Sequence, residues 1–87
     1  MKIGAVVKRA KEALLEIMNE EGVTNLGLEE ITFDDTTHAW RTILGFSRPW
    51  DSDGSLDSVI GRSKPERHFR EITVDDKDGN VISIKRA

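Results

Sequence analysis

The apolar residues of this chain keep one spacing near the N-terminus and another from residue 26 onward, and that switch limits the fold more than any other feature. Ile3, Val6, Val7, Ala10, Ala13, Leu14, Ile17 and Met18 recur at steps of three and four, which gathers them on one side of a helix. Lys8, Arg9, Lys11, Glu12, Glu16 and Glu20 fall mostly on the other side. The spacing predicts a helix over 3–21. Gly22 stops it, because glycine takes the left-handed backbone there without a steric penalty. The charge order is adverse: the first half of the helix is basic and the second half acidic. Each such placement near a terminus opposes the helix dipole by ~0.3–1 kcal/mol. Lys8–Glu12 pairing offsets little of this, so burial of the apolar side must hold the helix.

Beyond residue 26 the spacing predicts strands over 26–33, 38–46, 67–75 and 80–86. In the first, Leu26 and Leu28 share one phase and Ile31 and Phe33 the other. The phase slips at Glu29-Glu30, which calls for a bulge or bend. Asp34-Asp35-Thr36-Thr37 is a polar turn whose side chains bond their own backbone. In the second strand Trp40, Thr42, Leu44 and Phe46 share a face. Phe69, Ile72 and Val74 are the apolar members of the third. Asp78-Gly79 is the clearest hairpin signal, since Gly79 supplies the positive φ the turn needs. Ile82 and Ile84 are expected on one face of the last strand. The expected fold is therefore α+β: an N-terminal amphipathic helix on a four-stranded antiparallel sheet of two hairpins. A long loop, 47–66, joins the hairpins. Loops of that length are uncommon in compact domains and often functional. Leu56, Val59 and Ile60 within it are spaced as one helical turn, able to fold back onto the sheet.

A chain of 87 residues fits one domain, and a domain this small buries only about 60–65% of the surface its unfolded chain exposes. Association with a second copy would enlarge so thin a core, so a homodimer is one expectation. With 37% apolar and 33% charged residues the chain is polar, but its apolar residues are periodic, which argues against disorder. There are no cysteines, so disulfides cannot compensate for the thin core. Lys8, Arg9 and Lys11 interrupt the short apolar start before it reaches the length of a signal-peptide centre. No run is long enough to span a membrane. A cytoplasmic protein without membrane association is the expectation. The formal net charge of −3 disfavours general nucleic-acid binding.

Few residues carry recognisable chemistry. An EF-hand loop needs glycine at its sixth position, a side-chain oxygen at its first and glutamate at its twelfth. Aligning Gly79 places Val74 and Lys85 there, and aligning Gly54 places Pro49 and Ile60, so calcium fails on spacing. His38 and His68 open the second and third strands. If those strands are neighbours, the two approach each other near Asp34 or Asp35, a set that can hold a metal; two strand-end histidines are the simpler reading. No serine sits in a Gly-x-Ser-x-Gly elbow, and no carboxylate pair stands out from the many present. The expectation is a protein without cofactor or enzymatic activity. Arg62, Lys64, Arg67, His68 and Arg70 form a basic stretch, diluted by Glu66 and Glu71, that Arg41 and Arg48 join across the sheet, with Trp50 and Phe69 as stacking surfaces; a solvated strand face paired with neighbouring acids explains the same residues. Arg48-Pro49-Trp50-Asp51 ends a strand and opens the long loop. Tryptophan and arginine often dominate binding interfaces, while a Trp50 folded back to cap the core is the competing reading.

Three segments together resemble the PepSY-like group: the helix around Ala10 and Ala13, Trp40 in a Trp-x-x-Ile strand, and the closing run from Phe69 through Asp75-Asp76-Lys77-Asp78-Gly79-Asn80 to Ile82. The resemblance covers most of the chain. It implies a non-enzymatic binding or inhibitory module with a helix on an antiparallel sheet, and it assigns no functional residue. The leading expectation is a small module, inhibitor- or immunity-like, that contacts another protein through Arg48, Trp50 and Asp51. The alternatives are a nucleic-acid-associated protein using Arg41, Arg62, Lys64, Arg67 and Arg70, and a small metal-binding or enzymatic domain built on the histidines.

Overall fold

The computed structural model describes residues 1–19, 22–48 and 67–87. Helix α1 (Ile3–Ile17) is followed by strands β1 (Thr24–Asp34), β2 (Ala39–Ser47), β3 (His68–Asp75) and β4 (Val81–Arg86). The strands form one sheet in the order β1-β2-β3-β4, every pair antiparallel. The expected α+β architecture is therefore present, while the 47–66 connection lies largely outside the described residues.

The helix has no side-chain cap at Lys2, no acid in its first turn and no base in its last. It is held by packing. Val6, Ala10, Leu14 and Met18 are buried against Leu44, Phe46, Ile72 and Val74 of β2 and β3. Ile3 and Ile17, expected on the buried side, are 55% and 66% exposed. They lie at the two ends of the helix, beyond the stripe that the sheet covers. The helix ends at Ile17 rather than near 21, and Gly22 takes the left-handed backbone with φ 76°.

The phase slip in β1 is a bulge. Leu28 pairs with Leu44 and Glu30 with Ile43, leaving Glu29 as the extra residue. Glu29 and Glu30 therefore both point away from the helix, and Leu28 and Ile31 both point toward it. A second irregularity between Thr24 and Gly27 contains Asn25 at φ 54°. The helix packs over β2, β3 and β4, so β1 is less well covered and Leu28 stays 39% exposed.

Both tight turns close as the sequence requires. In the first, Asp34 Oδ1 accepts from Thr36 N at 2.9 Å, and His38 lies in the turn at φ 53° rather than in the strand. In the second, Asp75 Oδ1 accepts from Lys77 N at 2.7 Å, and Gly79 has φ 74°. Ile82 departs from expectation. The register shifts so that Val81 faces Val74 and Ser83 faces Thr73, and Ile82, between them, is 57% exposed. The buried Thr42 hydroxyl donates to Ile72 O at 2.9 Å, so this polar group costs the core little.

Because Glu29 is the extra residue, its deletion leaves Leu28 opposite Leu44 and Glu30 opposite Ile43. That variant should fold, losing about 1 kcal/mol or less with the exposed ion pair of Glu29. Deleting Thr32 instead turns Ile31 outward and Glu30 inward, and should cost at least ~2 kcal/mol. Urea denaturation distinguishes the two; equal losses would contradict the bulge assignment.

Candidate functional site

The two ends of the sheet differ in chemistry. At the end with the tight turns, the carboxylate of Asp76 gathers two donors: the Met1 ammonium at 2.9 Å and Trp40 Nε1 at 2.7 Å. Arg9 Nε donates to Gly79 O at 3.1 Å, tying the helix to the second turn. Trp40 also lies against Phe33, ring centroids 4.9 Å apart. The ammonium and then the indole N–H hold the Asp76 carboxyl below the usual carboxylate range. This end is closed by its own contacts.

His38 belongs to this end and His68 to the other. β2 and β3 are indeed neighbours, but they run antiparallel from Ala39↔Asp75 to Phe46↔His68. At ~3.4 Å per residue the histidines are roughly 20 Å or more apart. Among the described residues no group of His, Cys, Asp and Glu side chains is placed to hold a metal.

The basic stretch divides between the two faces of the sheet. Arg41 points away from the helix, with Nε 4.0 Å from Glu71 Oε1. Arg67 crosses that same outer face as a strap: Nη1 donates to Asn25 O at 2.9 Å and Nη2 to Glu29 Oε1 at 3.1 Å. It passes over the paired glycines Gly27 and Gly45, where a Cβ on Gly45 would come within 2.6 Å of Nη2. The bulge aims Glu29 at Arg67, so the two irregular features of β1 serve one contact. Arg70 is on the helix side, its guanidinium 5.5 Å from the Phe46 ring and donating to Phe69 O at 2.8 Å. Arg62, Lys64, Trp50 and Asp51 lie outside the described residues, as does the helical-turn spacing of Leu56, Val59 and Ile60.

What the structure does bring together, among the described residues, is a cleft at the other end of the sheet. A cavity of about 590 Å³ lies between the end of α1 and the sheet, bordered by Leu14, Ile17, Met18, Ile84, Arg48 and Arg70. A second groove of about 420 Å³ shares Arg48 and Arg70 and adds His68 and Arg86. Arg48 is half-buried directly after β2. Arg70 and Arg86 are directly opposite on adjacent strands, whereas the next pair, Glu71 and Lys85, is complementary. Like charges directly opposite destabilise a sheet. Sequence reasoning missed Arg86 and treated Leu14, Ile17 and Met18 as core alone. The Asp78-Gly79 hairpin held the signal for Arg86, because it brings the end of β4 beside the start of β3.

No helix among the described residues is long and apolar enough to cross a membrane. Comparison with protein-family models, curated proteins and solved structures finds no match to this chain.

A carboxylate whose pKa is depressed on folding stabilises the protein above its unfolded value, ~3.9 for aspartate, and that contribution is lost as pH falls through the folded value. The thermal midpoint of Asp76→Asn should therefore lie below that of the parent by a constant amount above about pH 5, and the gap should close below about pH 4. Circular-dichroism melts across this range test it; a gap that persists at low pH would contradict the assigned role. For Arg67 and Glu29, a double-mutant cycle to alanine should give a coupling of about 0.2–1 kcal/mol that shrinks in high salt.

Proposed function

We propose that this domain is a non-enzymatic binding module that acts by contacting another protein at the end of its sheet marked by Arg48 and Arg70. The observation that carries the reading is the cleft in which Leu14, Ile17, Met18 and Ile84 meet the guanidinium side chains of Arg48 and Arg70. Arginine and methionine are enriched at protein interfaces relative to the rest of the surface. Ile17, left 66% exposed next to this cleft, is covered by nothing described in the fold. Arg48 is also the first residue of the Arg48–Asp51 segment that reads as an anchor in the sequence. The likeness to PepSY-like modules points the same way, toward an inhibitor- or immunity-like role. The nucleic-acid reading has less support, because Arg41 faces the opposite side and Arg67 is engaged by Glu29.

A photo-crosslinking residue at Ile17 tests this in cells of the native host, with the same residue at the exposed Lys8 as control. A discrete adduct with a foreign protein is expected from position 17 and not from position 8. No adduct at position 17, or one of twice the mass of this chain, would overturn the reading.

A further inference from the structure

We infer that the Asp78–Gly79 linkage is a site of spontaneous isomerisation to isoaspartate that the folded second turn, with its contact to α1, holds shut, so that conversion occurs only while the turn is open. The reaction is independent of the binding role proposed above.

An aspartate followed by glycine suits this chemistry, because glycine has no side chain to shield its amide nitrogen. The Gly79 nitrogen attacks Cγ of the Asp78 carboxyl group. The N–Cγ bond forms, and one carboxyl oxygen departs as water, taking the carboxyl proton and the amide proton. Solvent water then opens the cyclic imide. Opening at the main-chain carbonyl leaves Asp78 joined to Gly79 through Cγ, with a new free α-carboxylate. No reactant besides water is consumed, and the product has the mass of the parent. Asp78 is exposed, so solvent reaches the site.

Three contacts oppose the first step. Gly79 N donates to Asp75 O at 3.0 Å, which directs the attacking amide at a carbonyl oxygen instead of at Cγ. Asp78 Oδ1 accepts from Asn80 N at 2.9 Å, so the carboxylate is held by the residue beyond the nitrogen that would attack it. Gly79 O accepts from Arg9 Nε at 3.1 Å, and Gly79 itself is buried. Bringing the Gly79 nitrogen against Cγ rotates this peptide group, which breaks the first two bonds and carries Gly79 O away from Arg9. Each such bond opposes opening by a factor of about 2–10. Conversion therefore follows the population of the locally opened turn.

The product is also at odds with the closed turn. Linkage through Cγ inserts one main-chain atom between Asp75 and Asn80, whose backbone N–H and C=O bond each other at 2.8 Å across the loop. Val81, packed against the core, pairs with Val74 just beyond. The longer loop has to displace Gly79 O from Arg9 or shift this pairing, so conversion weakens the contacts that slow it.

The test is prolonged incubation at neutral pH in native buffer and in guanidinium above the unfolding midpoint, followed by digestion, chromatographic separation of the isoaspartyl peptide and electron-transfer fragmentation to locate it. Asp53–Gly54, the other Asp-Gly pair of the chain, calibrates the intrinsic rate in guanidinium. Conversion at Asp78 should be at least about tenfold slower in native buffer than in guanidinium. Arg9→Ala should speed the native reaction by about 2–10-fold, whereas Lys8→Ala, which removes the neighbouring exposed cation, should leave it unchanged. The converted protein, isolated and refolded, should melt about 4 °C or more below the parent. Equal rates in the two solvents, an Arg9→Ala variant that converts no faster than Lys8→Ala, or a converted protein with the parent's thermal midpoint would each overturn the inference.

Discussion

Burial of one stripe of α1 against β2 and β3 is the interaction on which the rest of this domain depends. The helix has no side-chain cap and no favourable charge at either end, so it carries none of the usual terminal support, worth about 0.5–2 kcal/mol for a cap and ~0.3–1 kcal/mol for each well-placed charge. Each large apolar side chain fully buried contributes about 1.5–3 kcal/mol. Val6 and Leu14 on the helix, with Leu44, Phe46, Ile72 and Val74 below, are all essentially inaccessible to water. That contribution exceeds the deficit at the helix ends several-fold. Ala10 and Ala13 are buried as well, and small side chains at these positions let the helix lie close to the sheet.

One helix cannot cover four strands, and the consequences appear at the margins. β1 lies at the margin of the helix footprint, with Leu26 and Ile31 packed against the core, and is held mainly by its pairing with β2 and by the Arg67 strap, which reaches Asn25 and Glu29 from the far side of β2. The glycine pair Gly27–Gly45 gives that strap its path, since a side chain on Gly45 would occupy the position of the guanidinium. The two ends of the sheet are treated differently. The end with the tight turns is closed by Asp76, Trp40 and Arg9, which join the helix start, β2 and the second turn. The other end keeps an apolar shelf and three further arginines around a cleft. At that end Arg70 and Arg86 also stand in direct register, a pairing of like charges, whereas the next pair, Glu71 and Lys85, is complementary.

Much of the architecture was legible because it is encoded over a few residues. The slip at Glu29-Glu30 announced the bulge, Asp78-Gly79 announced the second turn, and the alternation from Trp40 to Phe46 identified the inner face of β2. The candidate site was legible only in fragments. Arg48 and Arg70 stand out in the sequence as members of a basic stretch, and Arg48 also as part of an anchor, while nothing there associates Arg86 or the helix end with either. The basic run 62–70 looked continuous in sequence, but successive strand residues point to opposite faces, so Arg67 and Arg70 separate once the strand forms. Ile3 and Ile17 follow the apolar pattern and are exposed, since periodicity reports direction and not whether anything lies opposite, whereas Ile82 is exposed because the register shift in β4 breaks its alternation with Ile84.

By itself the sequence determined the element types, the positions of the bulge and turns, and which residues of β2 face the core. These depend on backbone sterics and on side-chain periods of 3.6 and two, which act within a few residues. Only the tertiary structure decided where the helix footprint ends, that antiparallel pairing sends His38 and His68 to opposite ends, and that Arg70 meets Arg86 beside the exposed end of α1. Those outcomes depend on register and on the area one helix can cover, which are properties of elements packed together and have no local signature in the chain.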